Sequence, residues 1–241
     1  LLSLNFKRSC VDPCLYYNHS IFVLIWVDDC LLFSKSLTDL DEFKKKLKSK
    51  VELRDLSGKS ELCFLGINII ITENGIRLNQ NELIGKVLKK FGMNESKICR
   101  IPIEPKLNLL KADGEDRSLP YRELIGCLMY IMLGTRPDLC FSVAYFSQFQ
   151  NCYDRNHFKN LKNVLRYLNG SRNVELKFRN SNNPTKYEIK AYADADFANN
   201  LNDRKSVSGF LIKINNNLVF WKSSKQELVA LSSAEAEYIA L

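Results

Sequence analysis

The alternation of apolar and polar positions in the first third of the chain is typical of short antiparallel strands. Apolar runs between polar turns predict strands at 14–17, 21–27 and 30–33. The stretch "CFLGINIII", the turn "TENG" and the return "IRLNQ" predict a further hairpin. Between these groups, "SLTDLDEFKKKLKSKV" changes to helical spacing, with Leu40, Phe43 and Leu47 on one face. Residues 1–76 are therefore predicted to form antiparallel hairpins with one helix.

The middle of the chain has helical spacing throughout. Apolar residues three and four positions apart predict helices over 84–91, 121–133, 137–149 and 154–169. Residues 99–119 carry Pro102, Pro105 and the polar stretch "KADGEDRS", which together predict a loop. This second part, residues 77–172, is predicted to be helical.

A polar stretch, "RNSNNPTK", precedes a third part in which the strand pattern returns. It lies in a predicted linker, residues 173–186. Beyond it, "YEIKAYADADFA", "SVSGFLIKI" and "LVFWKSS" predict three strands, and "SSAEAEYIAL" predicts the start of a helix. Residues 187–241 are therefore predicted to form a small sheet with a helix, and the whole chain has an α+β pattern.

Positive charge is concentrated in the helical middle. The 35 basic and 27 acidic residues give a formal net charge of +8, which is typical of proteins with a polyanionic partner but is also found without one. Residues 77–172 hold 16 Lys and Arg against 9 Asp and Glu, a net charge of +7. Any contact with a polyanion is therefore expected in this part of the chain.

The cysteines and the apolar runs indicate in which cellular compartment the protein is expected. Eight cysteines without a CxxC pair, and only two histidines, argue against a structural zinc site. Several cysteines lie in apolar runs, which favours free thiols in a reducing, intracellular compartment. The apolar run from Ile21 stops at Asp28, too short to span a bilayer, so no membrane partner is expected. The chain starts at Leu1 rather than Met and is expected to be a piece of a longer protein.

One predicted helix carries a basic stripe. The four residues are Arg155, Lys159, Lys162 and Arg166. Their spacing places them in one narrow line along a helix, and no acidic residue interrupts it. An ordinary solvated face is the alternative interpretation. Unpaired like charges of this kind suit contact with a phosphate backbone.

Two adjacent aspartates, Asp28 and Asp29, interrupt the apolar runs of "IWVDDCLLF". A hairpin turn is one interpretation, although the usual turn glycine is missing. A metal site is the other, because neighbouring carboxylates repel each other unless a cation shares them. On an extended backbone their side chains would point to opposite faces, which predicts Asp28 as the metal ligand and Asp29 as a supporting residue.

A second group of carboxylates lies near the end of the chain. Asp194 and Asp196 are two positions apart on a predicted strand, so both are expected on one face. Glu235 and Glu237 begin the last predicted helix. The alternative for the glutamates is that they complement the helix dipole, and this suits Glu235 better than Glu237.

Seven segments in this order resemble the Pol polyprotein of copia-type LTR retrotransposons, at the junction of reverse transcriptase and RNase H. "FKRSCVDPCLYY" and "WVDDCLLF" resemble the end of the polymerase palm, and "FLGINI…IRLNQ" resembles its primer-grip hairpin. "YRELIGCLMYIMLGTRPDLCFSVAYFSQF" and "HFKNLKNVLRYLNGS" resemble the helical thumb. "YADADFA" and "FWKSSKQELVALSSAEAEYIAL" resemble the first half of RNase H. Motifs in family order along nearly the whole chain make the resemblance specific.

The resemblance implies a fold for each part. Residues 1–76 would be a palm fragment of antiparallel hairpins with a helix, and 77–172 the helical thumb. Residues 173–186 would be a linker, and 187–241 a truncated RNase H-like domain of sheet and helix.

The resemblance also implies the site residues and the cofactor. Asp28 and Asp29 match the palm's catalytic pair, Asp194 the first RNase H aspartate, and Glu237 the helix glutamate. All four would bind Mg²⁺ in two-metal sites. Trp26 stands where the family has Tyr, and its larger ring could crowd the primer or nucleotide.

The implied function is RNA-directed DNA synthesis with hydrolysis of the RNA strand of the hybrid. The implied partners are an RNA template, a DNA primer, the RNA–DNA hybrid, and the preceding palm and fingers and following RNase H segments of a polyprotein. A cytoplasmic particle or the nucleus would be the location. Because part of each active site is expected to be missing, the chain alone is expected to be inactive. A non-catalytic nucleic-acid-binding remnant of a transposon is the alternative, and an unrelated basic hydrolase a remote third.

Overall fold

A computed structural model describes residues 1–180 and 186–241. It divides into two compact units, Leu1–Phe64 and Leu65–Leu241. The described residues form antiparallel sheets together with six α-helices, so the predicted α+β fold class is confirmed at this level. Within the described residues, no helix is both long and apolar enough to cross a membrane.

The first unit is an antiparallel sheet with one helix. Its elements are β1 (Lys7–Arg8), β2 (Leu15–Tyr17), β3 (Ile21–Trp26), β4 (Asp29–Ser34), α1 (Leu37–Lys48) and β5 (Glu61–Phe64). The first four strands pair in chain order, β1-β2-β3-β4. Alternate residues of β3, Ile21 and Val23, point inward and pack with Phe6 and with Phe43 of α1. The inward face therefore holds the core of this unit.

The second unit contains the remaining helices and strands. In chain order these are β6 (Ile67–Thr72), β7 (Gly75–Asn79), α2 (Asn81–Lys90), α3 (Tyr121–Gly134), α4 (Cys140–Ser147), α5 (Arg155–Gly170), β8 (Leu176–Arg179), β9 (Ile189–Ala195), β10 (Val207–Ile214), β11 (Asn217–Lys225) and α6 (Ser233–Ala240). The predicted helices and strands are all present, with boundaries shifted by a few residues. Residues 99–119 form neither helix nor strand, as predicted.

Two details differ from the sequence pattern. The stretch "CFLGINIII" is not one strand, because Leu65 and Gly66 take positive φ angles of 52° and 70° and separate β5 from β6. The predicted linker 173–186 contains β8, which pairs with β7. The rest of that linker includes 181–185, which lie outside the described residues.

The helices α2 to α5 enclose the largest apolar core. Its fully buried members include Leu88, Leu124, Leu128, Phe146 and Leu165. Arg136, between α3 and α4, is the largest side chain buried in this region and has no exposed surface. Its guanidinium binds Asp138 at 2.6 Å and the carbonyl of Ser171 at 3.0 Å, which joins the start of α4 to the end of α5.

The strands β9, β10 and β11 form a separate antiparallel sheet with β10 in the centre. Hydrogen bonds connect this sheet to α3, and the loop between β9 and β10 to the segment 99–119. The Trp221 indole donates to the carbonyl of Met132 at 3.2 Å. The Asn202 amide donates to the carbonyl of Leu109 at 3.1 Å and accepts from Lys111 N–H at 3.2 Å. The helix α4 consequently lies against one face of the sheet.

Candidate functional site

The aspartate pair lies at the tip of a two-residue hairpin between β3 and β4. Trp26 and Asp29 form the last pair of the ladder, so Val27 and Asp28 make the turn. The expectation that Asp28 lies on an extended strand is therefore wrong. The hairpin interpretation is correct as geometry, and it places both carboxylates at an exposed corner of the first unit.

The turn holds Val27 in a strained conformation. Its φ of 54° lies in the left-handed region, which a β-branched residue rarely adopts. The side chain is 87% exposed and so gains little from packing. Strain of this kind is often found at functional sites. Val27 therefore occupies the turn position at which a glycine would adopt the same φ without strain.

Replacing Val27 with glycine is expected to stabilise the first unit by about 0.5–1 kcal/mol, because relief of the left-handed strain exceeds the entropy that glycine loses on folding. Urea denaturation of the two chains would measure this difference. Val11, which is equally exposed but has no positive φ, offers the matched control. Val11→Gly should be neutral or destabilising, and equal shifts for both variants would contradict the strain at Val27.

Both carboxylates at the tip are available to a ligand. Asp28 and Asp29 are exposed, and neither takes part in an ion pair among the described residues. The next residue, Cys30, is not a ready nucleophile, because burial and the Asp29 charge raise the pKa of its thiol. The nearby Asp12 lies in a loop, where its carboxylate accepts a hydrogen bond from Cys14 N–H at 2.8 Å.

The face of the sheet that carries Asp29 is apolar and open, a feature that the sequence analysis missed. Lys7, Tyr17, Phe22 and Phe33 are direct cross-strand neighbours in one row. The two central rings stack with centroids 6.1 Å apart. Paired residues share a face, so Trp26, which is opposite Asp29, lies on this side too. The signal was present in "IFVLIW", where both alternating sets of residues are apolar.

Asp194, from the second predicted group of carboxylates, lines a cleft of about 480 Å³ between the β9–β11 sheet and the start of α4. Aromatic rings of Phe141, Tyr192 and Trp221 form much of its wall. The cleft also includes Asp138, whose burial alone would raise its pKa, but hydrogen bonds and charge from Arg136 outweigh this and lower it. Asp138 is therefore ionised at neutral pH and occupied by an internal partner.

Asp196 does not share a strand with Asp194. The strand β9 ends at Ala195, and the Asp196 carboxylate accepts a hydrogen bond from Val207 N–H at 2.6 Å. This hydrogen bond joins the end of β9 to the start of β10. Asp196 also borders the cleft. Asp194 and Asp196 therefore both face the cleft, as expected, although Asp196 lies one residue beyond the end of the strand.

The two glutamates of α6 have different surroundings. Glu235 accepts a hydrogen bond from Leu231 N–H at 2.7 Å, and its own N–H donates to the Ser232 hydroxyl at 3.1 Å. This reciprocal arrangement caps the start of the helix. Glu237 is exposed and is not among the residues that line the Asp194 cleft.

The basic stripe on α5 is exposed in its first half and half-buried in its second, where Lys162 lies over the Phe158 ring and Arg166 donates a hydrogen bond to Asn163 at 2.9 Å. Its members are Arg155, Lys159, Lys162 and Arg166. The start of the helix is capped, because the Asp154 carboxylate accepts hydrogen bonds from two backbone N–H groups of its first turn. None of the four basic groups pairs with a carboxylate among the described residues.

A neighbouring segment extends this basic surface. Cys99 N–H donates to the carbonyl of Arg166 at 3.4 Å, which brings the exposed Lys97 and Arg100 next to the last turns of α5. No spacing of residues could have predicted this addition, because the segment is distant from α5 along the chain.

No three His, Cys, Asp or Glu side chains among residues 1–180 and 186–241 are close enough to hold a metal ion together. The structure therefore leaves the predicted ligands exposed and separate: Asp28 and Asp29 lie at the hairpin tip, Asp194 lies in the cleft, and Glu237 lies outside it. Carboxylate oxygens suit Mg²⁺ by their chemistry, but further ligands would have to complete each site.

Comparisons with known proteins identify relatives along nearly the whole chain. Residues 1–105 match the family of reverse transcriptases (RNA-dependent DNA polymerases). The chain is 33% identical, over 99% of its length, to the retrovirus-related Pol polyprotein from transposon TNT 1-94 of Nicotiana tabacum, and 31% identical, again over 99%, to that from transposon RE1 of Arabidopsis thaliana. Residues 1–105 belong to the reverse transcriptase family, and nearly the whole chain is similar to copia-type transposon Pol polyproteins.

The relatives differ greatly in length. The chain spans 19% of the Nicotiana polyprotein and 16% of the Arabidopsis one. It also covers 90% of an uncharacterized mitochondrial protein of Arabidopsis thaliana, with 32% identity over 92% of this chain. A segment of this size therefore also exists as a separate protein sequence. No solved structure matches the chain.

Proposed function

We propose that this chain is a segment of a retrotransposon reverse transcriptase that contributes the carboxylates of the polymerase site and a grip on the duplex. The observation that carries the proposal is the β3–β4 hairpin, in which a strained turn presents Asp28 and Asp29, exposed and without an ion-pair partner. In this scheme residues 1–76 belong to the palm and 77–172 to the thumb.

Asp28 and Asp29 would hold Mg²⁺ at the primer end. When bound, the metal ions would activate the primer hydroxyl and stabilise charge on the phosphates. The hairpin of this chain would position the two carboxylates. Asp29 is held by its backbone pairing with Trp26, and Asp28 is held in the turn. Because the described residues add no third ligand, the pair alone should bind Mg²⁺ weakly.

The stripe on α5 would hold the primer–template duplex by its phosphates. Arg155 and Lys159 are exposed and Lys162 and Arg166 half-buried. None of the four has a carboxylate partner among the described residues, so they can neutralise phosphates without first breaking an ion pair. RNA template, DNA primer and RNA–DNA hybrid are the proposed partners, and a reducing intracellular particle or the nucleus the proposed setting.

Residues 187–241 would be the first half of an RNase H domain, with Asp194 and Glu237 as magnesium ligands. Asp194 at the cleft supports this part of the proposal, because it is exposed at the end of a strand. Glu237 lies outside the cleft, so a functional centre would need further groups from the polyprotein.

Primer extension on an RNA template tests the proposal. The chain alone is expected to give no incorporation with Mg²⁺, because its carboxylate pair lacks a third ligand. A longer Pol chain that adds the preceding part of the polyprotein should extend the primer, and Asp28→Asn in that chain should remove the activity. Clear incorporation by the chain alone, or undiminished extension by the Asp28 variant, would refute the assignment of the site.

The position before the turn has its own test in the longer chain. Trp26 is 52% exposed on the face that carries Asp29, where the family resemblance leads us to expect Tyr. If the larger ring crowds the primer, Trp26→Tyr should raise the extension rate while duplex affinity stays unchanged. Equal rates for the two chains would show that Trp26 is tolerated.

A non-catalytic nucleic-acid-binding remnant is the second candidate function. It is favoured by the absence, among the described residues, of any cluster of three potential metal ligands, together with the unpaired basic stripe. Duplex binding without extension by the longer chain would support it.

A further inference from the structure

Two cysteines flank the loop that joins β1 to β2 in the first unit. Cys10 follows β1, Cys14 directly precedes β2, and three residues separate them. Both thiols are free in the structure, where Cys10 is exposed and Cys14 is half-buried. The proposed polymerase site uses neither of them.

The register of the two strands brings these cysteines to opposite positions. The ladder between β1 and β2 is antiparallel. Beyond its last pair, Ser9 N–H donates to the carbonyl of Leu15 at 2.8 Å, and the next positions in this register are Cys10 and Cys14. Opposite residues of antiparallel strands have α-carbons about 4.5–5.5 Å apart, within the range of about 4.4–6.8 Å that a disulfide spans.

Hydrogen bonds hold the loop closed without a covalent bond. Cys14 N–H donates to the Asp12 carboxylate at 2.8 Å, and Asp12 N–H donates to the Ser9 hydroxyl at 3.3 Å. The Arg8 side chain donates from Nε to the carbonyl of Pro13 at 2.8 Å. Because the fold has already brought the ends of this loop together, a disulfide between them would cost little further conformational entropy.

The geometry favours Cys10 over Cys30 as the partner of Cys14. Ile25 N–H donates to the Cys14 carbonyl at 2.9 Å, and Ile25 is paired with Cys30 on β4. Cys14 and Cys30 are therefore two strand spacings apart, about 9.5 Å, which exceeds the reach of a disulfide. The same row of residues places the loop at the end of the sheet that carries the aspartate hairpin.

We propose that Cys10 and Cys14 form a reversible disulfide and that the β1–β2 loop is a redox-modification site of this chain. In a reducing compartment such a bond is transient and forms when the local level of oxidant rises. It would fix the loop beside the aspartate hairpin. The inference does not depend on the proposed catalysis, because it concerns only the two thiols and their loop.

The oxidant is a low-molecular-weight disulfide such as glutathione disulfide. The Cys10 thiolate attacks one sulfur of the oxidant, whose S–S bond breaks, and one glutathione thiolate leaves. The Cys14 thiolate then attacks the Cys10 sulfur, the mixed disulfide breaks, and the second glutathione thiolate leaves. The protons of the two protein thiols pass through solvent to the two released thiolates. Two protein thiols and one glutathione disulfide thus become one protein disulfide and two glutathione molecules.

Thiol mapping of the whole chain in glutathione buffers tests the pair. The chain is equilibrated at several ratios of glutathione disulfide to glutathione, free thiols are blocked with N-ethylmaleimide, and the digest is analysed by mass spectrometry. Cleavage by trypsin after Arg8 and by chymotrypsin after Tyr16 gives a peptide, residues 9–16, that contains both cysteines and excludes Cys30. As the buffer becomes more oxidising, this peptide is expected to lose both maleimide labels together and to gain no glutathione.

Single variants and a denaturant supply the controls. In Cys14→Ser, the same peptide should keep its one label or carry one glutathione, because Cys10 has no partner. In Cys30→Ser, the internal disulfide should form at the same buffer ratio as in the natural chain. Concentrated urea removes the hydrogen bonds of the loop, so the ratio needed to form the disulfide should become roughly tenfold more oxidising.

Three results would overturn the proposal. The first is a peptide 9–16 of the natural chain that acquires glutathione instead of losing both labels. The second is a peptide that keeps both labels at buffer ratios that already modify the exposed Cys63. The third is a disulfide that forms at the same ratio in urea as in the folded chain, or that is lost in Cys30→Ser.

Discussion

Reversing the charges of Lys159 and Lys162 to glutamate is expected to reduce duplex affinity by roughly 10- to 100-fold near physiological salt, because each phosphate contact releases condensed counterions. Lys159 is exposed and Lys162 is half-buried, and neither is among the buried residues of α5. The loss should be similar for every duplex sequence, since phosphate contacts carry no sequence information. The slope of log affinity against log salt should flatten by about two units at most.

The matched control is a pair of lysines on another helix. Lys45 and Lys46 of α1 are exposed and lie outside the stripe. Their reversal alters net charge by the same amount and should weaken binding only through the general field. Fluorescence anisotropy of a labelled duplex at several salt concentrations would compare the two variants. Equal losses for both pairs would mean that the stripe is an ordinary solvated face.

Removing the Arg136 side chain is expected to destabilise the second unit by about 3–5 kcal/mol, the range seen when one partner of a buried ion pair is removed. The guanidinium is fully buried and donates to Asp138 at 2.6 and 2.9 Å and to the Ser171 hydroxyl at 2.8 Å. In Arg136→Ala, Asp138 would lose the charge that lowers its pKa, and a cavity would remain beside α5.

Arg117 offers the comparison for this variant. Its side chain is 85% exposed and pairs with Glu115 at the surface, so Arg117→Ala should cost less than about 1 kcal/mol. Arg136→Lys should recover only part of the loss, because an ammonium group cannot reproduce the two parallel bonds to Asp138. Urea denaturation would measure the free energy of unfolding of these three variants. A midpoint for Arg136→Ala as high as that for Arg117→Ala would contradict the role of the buried pair.

Local patterns in the sequence predicted most of the elements. The spacing of apolar residues in α5 was sufficient, because an element that must bury one face shows that face in its own sequence. The stripe from Arg155 to Arg166 was predicted for the same reason, since helical geometry alone brings its members into line. The reverse transcriptase family was also recognisable from motifs within short segments.

Features that depend on contacts between distant segments could not be predicted. The strand β8 pairs with β7, about a hundred residues earlier in the chain, and lay unrecognised in a polar linker. The pairing of Asn202 with Leu109 and Lys111 has the same origin. Such contacts require a specific tertiary arrangement, and short-range periodicity contains no information about it.

The sequence by itself therefore determined the elements, the family, and the identity of Asp28, Asp29 and Asp194 as candidate residues. Only the tertiary structure decided that Val27 is strained at the hairpin tip, that Asp194 lines a cleft beside α4, and that β8 pairs with β7. The physical reason is that residue type and spacing specify which face an element buries. Turn conformation and strand order depend on the free energy of the assembled fold.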